Sequence, residues 1–316
     1  MSTSDHDKPL LGVTLMLGFC LLAPFADALA KLLGPEMAVG QLVTLRFAFQ
    51  AAILVPLTLL TGRVWRMDLH TFGFVVLRTL LHIAGVAFVF TALLFLPLAD
   101  AVAIAFVMPF IMLLLGYWFL GEEVGLRRLV ACAVGFVGTL LVVQPAFTDI
   151  GWPALLPLGV AVIFAFFMLV TRRIAGTTDP IGMQAVSAMV ALVLLVPVMA
   201  LTPADVLPDL AWIAPGQRGW VLIALMGTAG TFAHLLMTWS LRYAPAATLA
   251  PMQYLEIPFA TAVGFAIFGD LPGPLATVGI AITIGAGLYI VIRERAMFRA
   301  RPPAPQAMHS GTPPAG

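Results

Sequence analysis

Ten stretches of apolar residues, joined by short connectors, leave this chain few folds to choose from. A helix crosses a bilayer core of about 30 Å with roughly 20 such residues. By that measure the expected spans are 10–33, 39–60, 72–96, 101–120, 129–143, 152–170, 181–201, 220–242, 247–268 and 275–292, the fifth being short. In hydrocarbon every backbone donor and acceptor needs a partner within the protein, and helices supply one. The expected fold is an all-α polytopic membrane protein with ten transmembrane helices. Composition excludes a soluble enzyme: of 316 residues 61% are apolar and 10% charged, against roughly 45–50% and 25% in a soluble domain. The net charge of +1 and the absence of any long basic run argue against a nucleic-acid partner. The first stretch holds Pro24, Asp27 and Lys31 and has no small-x-small cleavage step, so it reads as a span rather than a signal peptide. Beyond Arg299 the chain is rich in Pro, Ala and Gly, and 294–316 reads as a disordered tail.

Lys and Arg concentrate on the cytoplasmic side of membrane proteins. With the N-terminus inside, that side carries Lys8, Arg63, Arg66, Arg127, Arg128, Arg172, Arg173, Arg242, Arg293, Arg295, Arg299 and Arg301. The outer side carries Arg218, and Lys31 if it sits at the end of its span. The bias predicts a membrane protein with both termini in the cytoplasm.

The chain also repeats itself. Leu96-Pro97-Leu98-Ala99 matches Ala244-Pro245-Ala246-Ala247, and the same spacing of 148 residues relates Gly116 to Gly264, Gly121 to Gly269 and Glu122 to Asp270. Leu11-Gly12-Val13 matches Leu158-Gly159-Val160, and Gly138 pairs with Gly287. The halves are 1–146 and 147–293, five spans each. Because five is odd, the second half enters the membrane in the opposite sense, which is the inverted repeat of many secondary transporters. A duplication retained only for stability is the plainer reading.

These residues, with Leu45-Arg46-Phe47, Leu94-Phe95-Leu96-Pro97-Leu98-Ala99-Asp100-Ala101, Gly121-Glu122-Glu123 and Gly269-Asp270, resemble the drug/metabolite transporter superfamily, within its EamA-type family. The likeness covers nearly the whole chain except the tail. It implies an inner-membrane permease with a central cavity, a small-molecule metabolite as partner, and no metal or organic cofactor. It leaves the metabolite unnamed. Asp27-Ala28-Leu29-Ala30-Lys31-Leu32-Leu33-Gly34 also resembles the first span of members that move S-adenosylmethionine or riboflavin. Arg46 departs from the repeat, since Ser187 falls in its register in the second half.

An ionisable group near the bilayer centre costs about 2.5–3.5 kcal/mol on insertion scales and marks a functional site by default. The chain has seven: Asp27, Lys31, Arg46, Arg78, His82, His234 and Glu256. Asp27 with Lys31, Arg46 with Gln50 and Arg78 with His82 are i, i+4 pairs, and Gln253 with Glu256 is i, i+3, so each pair shares a helix face. Polar stripes of this kind converge on an interior cavity. Arg78, His82 and Arg46 are candidate substrate ligands, with Trp239, Gln253 and Tyr254 beside them. Asp27, Lys31 and Glu256 are candidates for a proton site or a counter-charge. The plainer readings are a local Asp27–Lys31 ion pair, a snorkelling Lys31, Arg46 as a staple to backbone carbonyls, and His234 as a packing residue. Phe25, Phe106 and Phe110 lie at depths where they could add to the cavity wall. Pro24, Pro109 and Pro258 are candidate hinges, because proline removes a backbone donor and bends a helix. Pro251 and Pro258 bracket Gln253-Tyr254-Leu255-Glu256, so that part of the ninth span is expected to be irregular.

Three functional classes compete. A secondary carrier working by alternating access, coupled to protons or running as an exchanger, fits the repeat and the polar stripes. An intramembrane enzyme (a protease or lipid-modifying transferase) would need a motif such as H-E-x-x-H or G-x-S-x-G, and neither occurs. A channel would need a filter-like loop or a charged ring, and none is visible. No G-x-x-x-x-G-K-[ST] supports ATP drive, and no Cys/His cluster has metal spacing. The cavity can form within one chain, and a homodimer is compatible with that.

Overall fold

The computed structural model describes residues 8–121, 125–203 and 205–299. Among them every regular element is helical: α1 (Pro9–Leu33), α2 (Val39–Leu60), α3 (Leu69–Leu93), α4 (Leu98–Ala105), α5 (Met108–Leu120), α6 (Leu126–Ile150), α7 (Leu156–Ala175), α8 (Pro180–Leu201), α9 (Gln217–Tyr243), α10 (Ala246–Leu249), α11 (Glu256–Phe268) and α12 (Pro274–Arg299). Short 3₁₀ turns precede α7 and link α10 to α11. Among the described residues seven helical stretches are long and apolar enough to cross a membrane. Three shorter apolar ones, Leu129–Leu141, Met252–Phe268 and Pro274–Ala286, stand where the fifth, ninth and tenth spans are expected. Glu122 and Glu123 lie outside the described residues, as does the tail from 300 onward.

The exterior is apolar, and polar side chains are enclosed within a largely apolar interior. Leu21, Leu80, Val193 and Leu225 are exposed, whereas Arg78, His82, Gln184 and Gln253 are fully buried. That arrangement suits a molecule whose solvent is hydrocarbon.

Helix boundaries follow local chemistry. Asp68 caps α3 by accepting from the Thr71 amide at 3.2 Å and the Thr71 hydroxyl at 2.6 Å, which starts the third span three residues earlier than hydropathy alone suggests. Those bonds hold the Asp68 carboxyl below the usual aspartate range. Asp179 caps α8 through the amides of Ile181 and Gly182. Where the short fifth span is expected stands a 25-residue helix, because its basic flank is helical as well and the helix runs on through 144–150. At the other end of the chain, α12 continues through 294–299, residues assigned to the tail on composition.

The segments expected as the fourth and ninth spans are broken, and they break in register. Met108 opens α5 and Glu256 opens α11, 148 residues apart, and both helices end on a left-handed glycine, Gly121 (φ 63°) and Gly269 (φ 73°). Only glycine adopts that conformation without strain. Pro109 and Pro258 sit in the first turns of α5 and α11, where amides have no intrahelical partner and the missing donor costs little. These prolines start the second pieces of their spans rather than kinking a continuous helix. Pro24, expected to interrupt the first span, lies within an unbroken α1.

The halves interlock. The start of α1 meets the end of α9, where the Ser240 hydroxyl donates to the Gly12 carbonyl at 2.7 Å. A Cβ on Gly12 would come within 2.6 Å of the Ala244 Cβ, so glycine sets that close approach. α3 runs against α7 in the opposite direction, with Arg78 opposite Thr171 and Gly85 opposite Phe164. α2 runs against α8 in the same antiparallel way, and α6 packs on α12.

Candidate functional site

A cavity lies between the halves. Its walls are apolar, with Phe19, Phe90, Phe106 and Phe164 contributing rings. Four polar side chains reach its lining: Asp27 of α1, Arg46 of α2, His234 of α9 and Glu256 of α11. A mostly apolar cleft with a few convergent polar groups is the usual form of a small-molecule site. The first residues of α5 and α11 both line it, but one is Met108 and the other Glu256. The acid therefore breaks the symmetry of the repeat at its centre.

Arg46 is held in place by His82. Its Nη1 lies 3.2 Å from His82 Nε2, and since a guanidinium only donates, His82 Nε2 is the acceptor. A Cβ on Gly230 would lie 2.8 Å from Arg46 Nε, so the absence of a side chain there makes room for the guanidinium. The His82 ring lies tilted against His234 at 4.2 Å and is walled by Phe47 and Phe167. The Nδ1 atoms of both histidines are buried without a partner among the described residues.

Arg78 is placed differently. It is fully buried outside the cavity lining, where Nε donates to Thr171 Oγ1 at 2.8 Å and Nη1 to Ser187 Oγ at 2.9 Å. Nη2 reaches Thr238 Oγ1 at 3.5 Å, and the guanidinium lies 4.6 Å from the centroid of the Phe167 ring. Ser187, the register partner of Arg46, is thus a ligand of the other intramembrane arginine. Gln50, on the Arg46 stripe, donates to the backbone and side-chain oxygens of Gln184, which in turn donates to Thr238.

The remaining candidates scatter. Asp27 stays at the cavity, but Lys31 turns away from it and donates to the Leu96 carbonyl at 2.8 Å. Its ammonium lies 3.9 Å from Asp270 and over the ring of Phe268, so the local Asp27–Lys31 pair does not form. Gln253 contacts the Met168 sulfur at 3.1 Å, and its Oε1 is left buried and unpartnered among the described residues. Tyr254 donates to the Cys132 carbonyl, with its ring packed over Gly135 and against Phe106, behind the cavity wall. Trp239 is half-buried among Leu54, Ile181 and Leu235, and Phe25 is exposed on the exterior. Phe110 stacks on Phe136, which leaves Phe106 as the one of the expected aromatics in the lining. Among the described residues no group of three His, Cys, Asp or Glu is arranged to hold a metal ion.

Sequence reasoning alone does not single out Gly230, Gln184 or the Lys31–Asp270 contact. The repeat spacing offered one signal it could have used: Met108 and Glu256 are 148 residues apart, at equivalent positions of two broken helices.

Apolar helices, an interlocked pair of halves and a partly charged internal cavity define a multi-pass membrane protein of the transporter type. The chain belongs to the EamA-like transporter family, which matches it twice, at residues 10–144 and 151–293. It is 32% identical over 230 residues, 72% of each chain, to a riboflavin transporter of Rhizobium johnstonii. To an S-adenosylmethionine uptake transporter of Rickettsia bellii it is 26% identical over 269 residues, 85% of this chain and 89% of the other. A protein of known crystal structure, 18% identical, overlies 92% of this chain and 98% of its own with a TM-score of 0.69, a likeness of fold.

Proposed function

We propose that the protein is a secondary carrier of the cytoplasmic membrane that moves a small organic metabolite by alternating access, with the cavity between its halves as the binding site. The observation that carries this reading is the convergence of Asp27, Arg46 and Glu256 on one apolar cavity formed by both halves. The antiparallel pairings of α1 with α9, α2 with α8 and α3 with α7 support ten alternating spans and an inverted repeat, divided near 146. The two broken helices, whose second pieces both begin at the cavity, are the discontinuous elements such carriers use. The bias of Lys and Arg supports cytoplasmic termini.

The charges favour a substrate that carries both signs. Arg46 would hold a carboxylate or other anionic group, while Asp27 and Glu256 would meet an amine or another cationic centre. Two acids against one guanidinium favour a zwitterion with an extra positive charge over a neutral flavin, although relatives of both substrate names occur. The phenylalanines would cover the body of the ligand. Glu256 is also the better proton acceptor, because its equivalent in the first half is Met108 and coupling needs only one site. The intramembrane enzyme reading has less support, since the family and the named relatives are transporters.

The test is uptake and counterflow in proteoliposomes, using labelled S-adenosylmethionine, riboflavin and amino acids with and without a pH gradient. Saturable flux of a cationic zwitterion with no flux of riboflavin is expected. Saturable riboflavin flux alone would overturn the charge argument and leave the carrier reading. No flux of any compound in the panel, from protein shown to be folded, would count against both.

A further inference from the structure

Two clefts outside the cavity meet at the α2–α3 connector. One is an apolar groove between α3 and α8, floored by Phe72, Val76, Met189, Val190 and Val193 and open to the membrane. From Val186 to Leu194 it follows α8 for about 12 Å, at 1.5 Å per residue. The other is a polar pocket lined by Thr71, Thr177, Thr178 and Arg242 with Asp68 and Asp179. Arg66 and Met67 belong to both.

The charges of the polar pocket are unevenly met. Asp179 is ion-paired with Arg63 at 2.9 Å and caps α8, and Asp68 caps α3 through Thr71. Arg242 donates to the Thr178 carbonyl at 3.3 Å. Arg66 is exposed, and among the described residues no carboxylate pairs with it. The pocket and its rim thus carry three guanidiniums against two carboxylates, with Arg66 standing where the polar and apolar clefts join. Trp65, 43% exposed beside it, is the kind of residue that sits at the headgroup level of a bilayer.

We propose that this composite cleft binds an anionic phospholipid of the surrounding bilayer, with its phosphate on Arg66 and the threonine-lined pocket and one acyl chain along α8. Both ends of the amphiphile are matched: hydrocarbon wall meets acyl chain, and the unpaired guanidinium meets the phosphate, which it can bind bidentately. The geometry does not depend on which leaflet the connector faces. Lipid seated there would span α3 of one half and α8 of the other, and so touch both parts of the interlocked pair.

The full-length protein in mild detergent, titrated with dioleoylphosphatidylglycerol or dioleoylphosphatidylcholine and read by native mass spectrometry, tests this. Wild type should retain the anionic lipid over the zwitterionic one. Arg66→Ala should weaken retention of the anionic lipid by about fivefold, the value of one basic residue at an anionic surface, and weaken the zwitterionic lipid less, because its choline offsets the phosphate charge. Val193→Trp, at a position 72% exposed and therefore tolerant of a larger side chain, should block the groove and weaken both. Unchanged retention of the anionic lipid in both variants would overturn the proposal, provided their melting temperatures in lipid-free detergent match wild type. Competition by glycerol phosphate at the same concentration as lipid would also overturn it, by assigning the site to a free anion. So would a wild-type dimer that Val193→Trp dissociates without changing lipid retention.

Discussion

Gly230→Ala probes the site without removing a functional group. The added methyl would lie 2.8 Å from Arg46 Nε, 3.1 Å from Nη2 and 3.3 Å from Cζ, about 0.6 Å inside ordinary contact at the closest atom. The atoms it meets are the far end of a flexible side chain, so the guanidinium yields and the helices do not. Arg46 Nη1 is already 3.2 Å from His82 Nε2, the long limit for such a bond, and a shift of that size breaks it. A hydrogen bond to a charged group is worth about 1.5–3 kcal/mol. If Arg46 holds the anionic end of the substrate, its displacement should raise KM by about tenfold or more. Stability should change by less than about 2 kcal/mol, because alanine regains about 1 kcal/mol of helix propensity over glycine. The assay is concentration-dependent uptake of whichever compound shows saturable flux, with melting in detergent alongside. Gly73→Ala in α3, where an added Cβ meets nothing within 4 Å, is the control and should leave KM unchanged. A KM for Gly230→Ala within twofold of wild type would refute the role given to Arg46.

Arg78→Ala should act on stability instead. It strands Thr171, Ser187 and Thr238, and at about 0.6 kcal/mol per interhelical hydrogen bond the loss is roughly 2 kcal/mol, read as a lower melting temperature with an unchanged KM. A tenfold rise in KM at constant melting temperature would make Arg78 a ligand after all. Glu256→Gln should remove the response of uptake to an imposed pH gradient while counterflow persists, and a pH profile that overlays wild type would end the proton-site reading. At the end of α1, Asp270→Asn should cost under about 1 kcal/mol, since a partly exposed pair 3.9 Å apart contributes little. Lys31→Ala should cost more, because it also loses the Leu96 carbonyl and the Phe268 ring; equal losses from the two variants would contradict this.

The apolar spans, their approximate limits and the resemblance between the halves were legible in the sequence because each depends on local composition or on matched spacing. The irregular stretch before Glu256 was legible for the same reason, since Pro251 and Pro258 are local signals. Partner choice was not. Arg46 and Arg78 have the same side chain and comparable depth in their spans, and nothing within α2 or α3 distinguishes them. What separates them comes from other helices: a gap at Gly230 of α9 opens Arg46 to the cavity, while hydroxyls from α7, α8 and α9 close around Arg78. Lys31 likewise has Asp27 one helical turn away but turns to the Leu96 carbonyl, 65 positions along the chain, and to Asp270 beyond it.

By itself, then, the sequence determined that this chain is a bundle of membrane helices in two related halves, because hydrocarbon leaves a backbone few alternatives and a duplication records itself in spacing. Only the tertiary structure decided which buried charges face the cavity. Along each helix the polar stripes are equally plausible, and their roles depend on what the neighbouring helix presents to them: a glycine, a hydroxyl or a ring.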